Sequence, residues 1–333
     1  MKKGLVVLLL LTVSFTMIFS FTVTMVTDAG GLGDQSFNDG TWQGVKKAGD
    51  ELGIEYLVIQ SNEQSDYVMN LSKAAENSDV VIAVGFLLED AMKTVAPQYS
   101  DTHFIGIDMG EAGIPNVRTY SFKEQEGGFL VGFVAAAMSK TGIISAVGGM
   151  PIPPVKRYEI GFRAGAEAYN QLHGTNVQVI VGYTQSFTDI QKGKTMTEAQ
   201  MSQGSDVILQ IAGLCGLGVF NAVNEKGEGY FGLGADCDQD HIAPGRILAS
   251  ALKRIDNAAY FGIIDSYEGY FDGGLKVLGL VEDGIGIGEM KYTRDLVPEF
   301  VLLELKGLQS AVKDGELVIP QTEEELENFK IDF

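Results

Sequence analysis

GIISAVGGMPIPPVKRYEIGFRAGAEAYNQLHGTNVQVIVGYT, residues 142–184, sets the architecture of the whole chain. It opens on an apolar, β-branched run, GIISAVGG (142–149), and closes on another, NVQVIVGYT (176–184). Between them Tyr158–His173 reads as a helix, and the Pro-rich stretch 151–154 reads as a loop leading into it. Strand, helix, strand at this spacing is a βαβ unit, with parallel strands and a right-handed crossover. The same rhythm extends outward through EYLVIQ (55–60), DVVIAVG (79–85), HFIGIDMG (103–110), DVILQIAG (206–213), YFGLGAD (230–236) and GRILASAL (245–252). Helix-like stretches at Gly40–Leu52, Glu126–Ser139 and Asp189–Gln203 fall between those runs. Strands that are almost continuously apolar belong to parallel sheets covered on both faces. The chain is therefore α/β.

A length of 333 residues suggests two domains of ordinary size. The polar residues cluster just beyond the strands: Asp28 after TMVT, Asp108 after FIGI, Phe187 after IVGYTQS, Gly213 after LQIA and Asp236 after FGLGA. Ligands of open α/β sheets bind beyond the carboxyl ends of the strands, so two lobes with facing strand ends would enclose a small ligand.

Composition excludes several chemistries. With 24 Lys+Arg against 44 Asp+Glu the net charge is −20, which leaves no basic footprint for nucleic acid. Two cysteines cannot make a disulfide scaffold or a four-thiolate zinc site, and the histidines at 103, 173 and 241 lack metal-ligand spacing. Asp236, Asp238 and Asp240 alternate like a calcium loop, but the Gly and Glu of an EF-hand are not at their spacings, so no metal is expected. Gly31-Leu32-Gly33 lacks the third glycine of a dinucleotide fingerprint, and no cofactor is expected. Cys215 and Cys237 follow successive strands; they form either a disulfide of an exported protein or, as the favoured reading, two buried thiols. At the C-terminus Glu323–Glu327 reads as a last short helix with Thr322 as its N-cap.

The chain starts with Met1-Lys2-Lys3 and a charge-free apolar stretch to Ser20, the layout of a secretory signal peptide. The apolar run continues to Thr27, long enough for an uncleaved anchor. Residues 21–27 alternate Thr with large apolar side chains, which favours a first β-strand and cleavage after Ser20. No cysteine stands near that point to carry a lipid, so the protein is expected to be exported to the periplasm or cell surface without one.

DAGGLGDQSFNDGTWQG (28–44) resembles the opening of the basic membrane protein family, which includes the purine nucleoside receptors of ABC transporters. The resemblance continues through GGFLVGFVAAAMSKTGIISAVGG and EIGFRAGAEAYN (within 127–170), GADCDQ (234–239), ALKRID (251–256) and KDGELVIP (313–320). It implies a type I periplasmic-binding-protein fold: two doubly wound parallel-sheet lobes joined by three crossovers around a cleft. Lobe 1 would comprise 21–122 plus 248–281, and lobe 2 would comprise 123–247 plus 282–333. It also implies a nucleoside ligand, usually a purine nucleoside, and an ABC permease that receives it from a monomeric, non-enzymatic binding protein.

By the same resemblance Phe37 and Phe187 stack on the base from opposite lobes, and Asp28 and Asp108 face its edge. Asp236 holds ribose hydroxyls, Lys253 makes a second ribose contact, and Gly213 lets the backbone approach. Asp34 and Asn38 are ligand contacts or N-terminal caps of the helix that follows. Cys215 stands where the family usually has a smaller or hydroxyl-bearing residue. A sugar or autoinducer binder of the same fold is the alternative, since it too sets aromatic faces and Asp pairs against hydroxyls. A nucleoside hydrolase or dehydrogenase is disfavoured by the missing metal-ligand histidines, G-x-S-x-G elbow and complete cofactor fingerprint.

Overall fold

The computed structural model describes residues 21–331, so the signal-peptide expectation for residues 1–20 lies outside the described residues. Twelve strands form among them: β1 Thr22–Val26, β2 Glu55–Ile59, β3 Val80–Val84, β4 His103–Ile107, β5 Val117–Phe122 and β6 Ile143–Gly148, then β7 Gln178–Tyr183, β8 Val207–Ile211, β9 Phe231–Asp236, β10 Ile247–Lys253, β11 Gly274–Leu278 and β12 Ile285–Ile287. They assemble into two sheets, ordered β11-β5-β4-β3-β1-β2 and β12-β10-β9-β8-β6-β7. Every pairing is parallel except β10 with β12.

The helices are α1 Phe37–Leu52, α2 Tyr67–Ala75, α3 Glu89–Val95, α4 Glu124–Met138, α5 Pro153–His173, α6 Ile190–Ser202, α7 Cys215–Lys226, α8 Ile255–Glu268, α9 Glu299–Lys313 and α10 Glu323–Glu327. Alternation along the strands divides the cores. Val23, Met25, Ile82 and Ile105 bury one face of the first sheet with Ala48 of α1 and Ile263 of α8, while Val26, Val81, Ala83 and Phe104 bury the other with Leu71 and Met92. No described helix is long and apolar enough to cross a membrane.

The chain passes between the sheets three times, from β5 into α4, from β10 into α8 and from β11 to β12. These passages differ from the sequence boundary at 247/248. β10 pairs in register with β9, Ala251 opposite Ala235, so Ile247–Lys253 belongs to the second sheet and the chain crosses after Lys253. Periodicity shows that GRILASAL is a strand but not which sheet accepts it. The loop expected at 151–154 is also shorter: Pro153 and Pro154 occupy the first turn of α5, where an N–H has no helical partner to lose. The last helix is as expected, with Thr322 and Glu325 forming a reciprocal capping box.

α4 and α5 pack with their backbones almost in contact. A Cβ on Gly128 or Gly132 would lie 2.2 Å from the carbonyl oxygens of Tyr158 or Phe162, and one on Gly161 or Gly165 would lie 2.0–2.1 Å from those of Gln125 or Phe129. Only glycine permits that approach.

Candidate ligand-binding site

The first half of the site grows from the end of β1. The chain runs through Thr27 to Asp28 and turns through residues 29–36 before α1 begins at Phe37. Asp34 lies over the start of α1, and its carboxylate accepts the backbone N–H groups of Ser36 (3.0 Å), Asn38 (2.8 Å) and Asp39 (3.1 Å). It thus does the work of a helix cap, answering the orphaned N–H groups of the first turn. Burial outweighs these bonds and pushes the Asp34 carboxyl up to about 6. Asn38 donates its amide N–H groups to Asp28 Oδ1 (2.9 Å) and Asp34 Oδ2 (3.2 Å). Two carboxylates around Nδ2 fix the amide orientation, and buried Oδ1 has no hydrogen-bond partner among the described residues. Asp28 also accepts the Gly30 N–H at 2.9 Å, and burial raises its pKa.

The second half centres on Lys253, at the end of β10 and only 2% exposed. Its Nζ lies 2.5 Å from Asp108 Oδ2 and 3.1 Å from Glu124 Oε1, and 5.1–5.7 Å from the ring centres of Phe37, Phe122 and Tyr158. Glu124, fully buried at the start of α4, receives Arg157 Nε at 2.6 Å on its other oxygen. Asp108 and Asp236 occupy equivalent places, just past β4 and at the end of β9, and both adopt left-handed φ, 62° and 68°. Asp tolerates that conformation better than most residues, and it turns each carboxylate off its strand. Asp236 accepts Ser36 Oγ–H at 2.8 Å and the Tyr158 hydroxyl at 3.3 Å.

Charge balance explains the protonation behaviour. Burial drives the Asp108 carboxyl up, Lys253 pulls it back, and it stands at about 7. Burial works against the Lys253 ammonium, but Asp108, Glu124 and Asp236 outweigh it and hold its pKa above the ordinary value. Burial likewise raises Asp236. Asp108 Oδ1, like Asn38 Oδ1, has no hydrogen-bond partner among the described residues. The arrangement offers acceptors to a ligand rich in N–H and O–H donors.

All nine residues singled out in the sequence border one cavity: Asp28, Asp34, Phe37, Asn38 and Asp108 from the first lobe, with Phe187, Gly213, Asp236 and Lys253 from the second. Its atom-free space, mouth included, is about 620 Å³. Phe37 lies against Gly85, where an added Cβ would sit 3.3 Å from the ring, and Phe187 lies against Gly149, where it would sit 2.2 Å away. Asp108 groups with Lys253 and Asp236, whereas the hydrogen-bonding partners of Asp28 are Gly30 and Asn38.

The walls hold residues that sequence reading passed over. Tyr158 is one of them, and behind the wall Glu124 and Arg157 hold Lys253 in place; all three lie on α4 and α5, where they look like ordinary helix positions. Ile152, Val155 and Leu214 supply apolar wall and carry no local signal beyond hydrophobicity. Across the cleft mouth Ser36 Oγ donates to Ala235 O (3.1 Å), Gln239 Nε2 donates to Gln35 O (2.9 Å), and Cys237 Sγ lies 3.2 Å from Ser36 O. The lobes are closed on one another. Cys215 and Cys237 are both free thiols, and no group of metal-ligating side chains occurs among the described residues.

Residues 21–312 match the family model of Bmp, the PnrA-like ABC transporter substrate-binding proteins. The chain belongs to this family. Among Bmp-related proteins, an uncharacterised lipoprotein of Pyrococcus furiosus is 33% identical over 93% of this chain and 84% of its own length. Basic membrane protein A of Borreliella burgdorferi is 30% identical over 93% and 91%. The crystal structure of an ABC transporter solute-binding protein from Aeropyrum pernix superposes with a TM-score of 0.86, at 31% identity over 92% of this chain and 96% of that one. The Bmp family and the fold are those of extracytoplasmic solute-binding proteins, whose partners are a ligand and a membrane permease.

Proposed function

We propose that this protein, exported and working as a monomer, captures nucleosides, purine nucleosides foremost, and passes them unchanged to its permease. The observation that carries the reading is the pairing of Phe37 and Phe187, one from each lobe, on a single cavity edged by buried carboxylates. A nucleoside is a flat heterocycle joined to a ring of vicinal hydroxyls. Aromatic faces suit the first, at about 1–3 kcal/mol per stacked base, and carboxylate acceptors suit the second. Asp28 and the free Oδ1 of Asn38 would take the base edge and Asp236 and Lys253 the ribose; Asp108, set at the base edge by the resemblance, would join the ribose side because it bonds Lys253. Gly213, with φ of 54°, brings backbone close to the ligand beside Phe187, and Asp34 serves by holding Asn38 in place.

The test is calorimetric titration of refolded residues 21–333 with guanosine, adenosine, inosine, cytidine, ribose and galactose. Refolding strips any ligand carried through purification. Tight binding of a nucleoside with no response to ribose is the expected result, and the bases then rank themselves. Binding of a sugar alone would replace the reading with that of a sugar-binding protein. Release of free base during the titration would make the protein an enzyme.

A further inference from the structure

The cleft has a charge character that its aromatic pair does not explain. Four carboxylates border it, Asp28, Asp34, Asp108 and Asp236, and Lys253 is the one cation among the described residues that do. That ammonium is committed: Asp108 Oδ2 lies 2.5 Å from its Nζ and Glu124 Oε1 lies 3.1 Å away. Asp28 and Asp34 are held by neutral donors, the Asn38 amide and backbone N–H groups. A cleft lined by one sign of charge between low-dielectric walls concentrates its field on whatever enters. Burial raises the pKa of all four carboxyls, to about 6 at Asp34 and to about 7 at Asp108, where Glu124 and Asp236 push the same way.

The uncharged groups that ordinarily receive an anion are engaged as well. Helix N-termini bind phosphate through the N–H groups of the first turn, and α1, α5 and α7 all start at this cavity. At the start of α1 the N–H groups of Ser36, Asn38 and Asp39 are taken by the Asp34 carboxylate. α5 starts on Pro153 and Pro154, which have no N–H. In α7 the Cys215 N–H donates to Ala212 O at 3.1 Å and the Gly216 N–H to Gly213 O at 2.9 Å.

A phosphate monoester carries a charge of about −1.5 to −2 at pH 7. In this cleft it meets carboxylates, and these donors are already given to protein acceptors. It sits against ionised carboxylates or forces them to take up protons, and either costs binding. An ammonium does the reverse, because a buried carboxylate ionises more readily beside it.

Resting on the nucleoside reading above, we infer that the cleft sorts nucleosides by charge, holding a cationic one more tightly than its neutral parent and refusing the 5′-phosphate. The protein then stands downstream of a phosphomonoester hydrolysis. In that reaction water cleaves the P–O bond of a nucleoside 5′-phosphate, leaving the nucleoside and inorganic phosphate, and only the nucleoside is captured.

The test is calorimetric titration of refolded residues 21–333 at pH 7 with four ligands built on adenine and the same four built on guanine. They are the nucleoside, its 5′-amino-5′-deoxy analogue, its 5′-O-sulfamoyl ester and its 5′-monophosphate. The amine replaces a hydroxyl with an ammonium at almost unchanged size, and the sulfamoyl ester has nearly the bulk of the phosphate without its charge. The monophosphate should bind at least about a hundredfold more weakly than the nucleoside and the amine about tenfold more tightly, with the sulfamoyl ester nearer the nucleoside than the monophosphate. Asp28→Asn and Asp236→Asn each remove one negative charge. Each should cut the preference for nucleoside over monophosphate about tenfold, whatever it does to nucleoside affinity itself. A monophosphate bound as well as the nucleoside overturns the inference, as does an amine bound no better than its parent. A sulfamoyl ester refused as strongly as the monophosphate also overturns it, because size would then be deciding. So does a preference that neither variant changes. Binding of none of these ligands would sink the nucleoside reading itself, and the charge sorting with it.

Discussion

On the first-lobe wall of the cleft, Asp28, Asp34 and Asn38 are tied to one another and to the backbone of α1 before any ligand is considered. On the second-lobe wall, Ile152, Val155, Phe187 and Leu214 present carbon, and the polar groups, Asp236 and Lys253, reach across to Ser36 and Asp108 of the other side. The first wall is a preorganised polar template and the second an apolar cover. Substitutions in the template should cost folding as well as affinity, whereas those in the cover should cost affinity alone.

The hardest test of that contrast is Lys253, which belongs to the cover's sheet but completes the template. Lys253→Met leaves Asp108 buried without its cation and Glu124 with Arg157 alone, and breaking such a pair costs about 3–5 kcal/mol. Thermal melts should drop steeply and nucleoside binding should vanish; a melt within a degree or two of the parent would show that the ion cluster is not holding the lobes. Asp236→Ala comes next. It should weaken ribonucleosides by roughly 1.5–3 kcal/mol, the worth of hydrogen bonds to a charged group, and narrow their advantage over 2′-deoxynucleosides. Titration of guanosine against 2′-deoxyguanosine reads both.

The aromatic pair separates the walls most directly. Phe37→Ala and Phe187→Ala should each lose about 1–3 kcal/mol of binding. Phe37→Ala should also lower the melting temperature more than Phe187→Ala, because the Phe37 ring lies 5.1 Å from the Lys253 ammonium of the ion cluster. Equal melting losses for the two variants would erase the distinction between template and cover.

Asp34 gives a pH signature of the template. Its pKa is about 6 in the folded chain against an ordinary 3.8, so between these values the native state holds a proton that the unfolded chain has released. The stability it contributes is full below pH 3.8 and lost as pH rises through 6. Between pH 7 and 4 this is about 2 kcal/mol of stability, which Asp34→Asn should remove from the pH dependence of thermal melts. Smallest is Ser36→Ala, which removes the hydroxyl bonded to Ala235 O and Asp236 and should speed ligand release a few-fold, a loss of about 1 kcal/mol. Stopped-flow dissociation would show it.

Much of this site was legible because it sits where sequence is most informative. Asp28, Asp108, Gly213 and Asp236 each punctuate an apolar run, and a parallel sheet brings such punctuation marks to one edge. Phe37 stood out because a ring in a polar turn has no local core to join. Glu124 and Arg157 were not legible: on the chain they are a charged first turn and a solvent-like helix position, and their meaning comes from a partner 33 residues away. The sheet of β10 was hidden for the same reason, since strand choice depends on a neighbour, not on the strand. The proline pair at 153–154 reads as a breaker and is in fact a helix start, two situations that local composition does not separate.

The glycine seam between α4 and α5 has a mechanical consequence. Where a missing methyl is itself the contact, one helix cannot slide along the other without driving a side chain into backbone. The pair therefore behaves as a stiff strut, and α4 is also the element into which the first crossover feeds. A strut that does not give delivers strain to its ends: work done by a ligand drawing the lobes together is passed to the crossovers, not absorbed within the second lobe. The stiffness of the second lobe is written as four absent methyl groups.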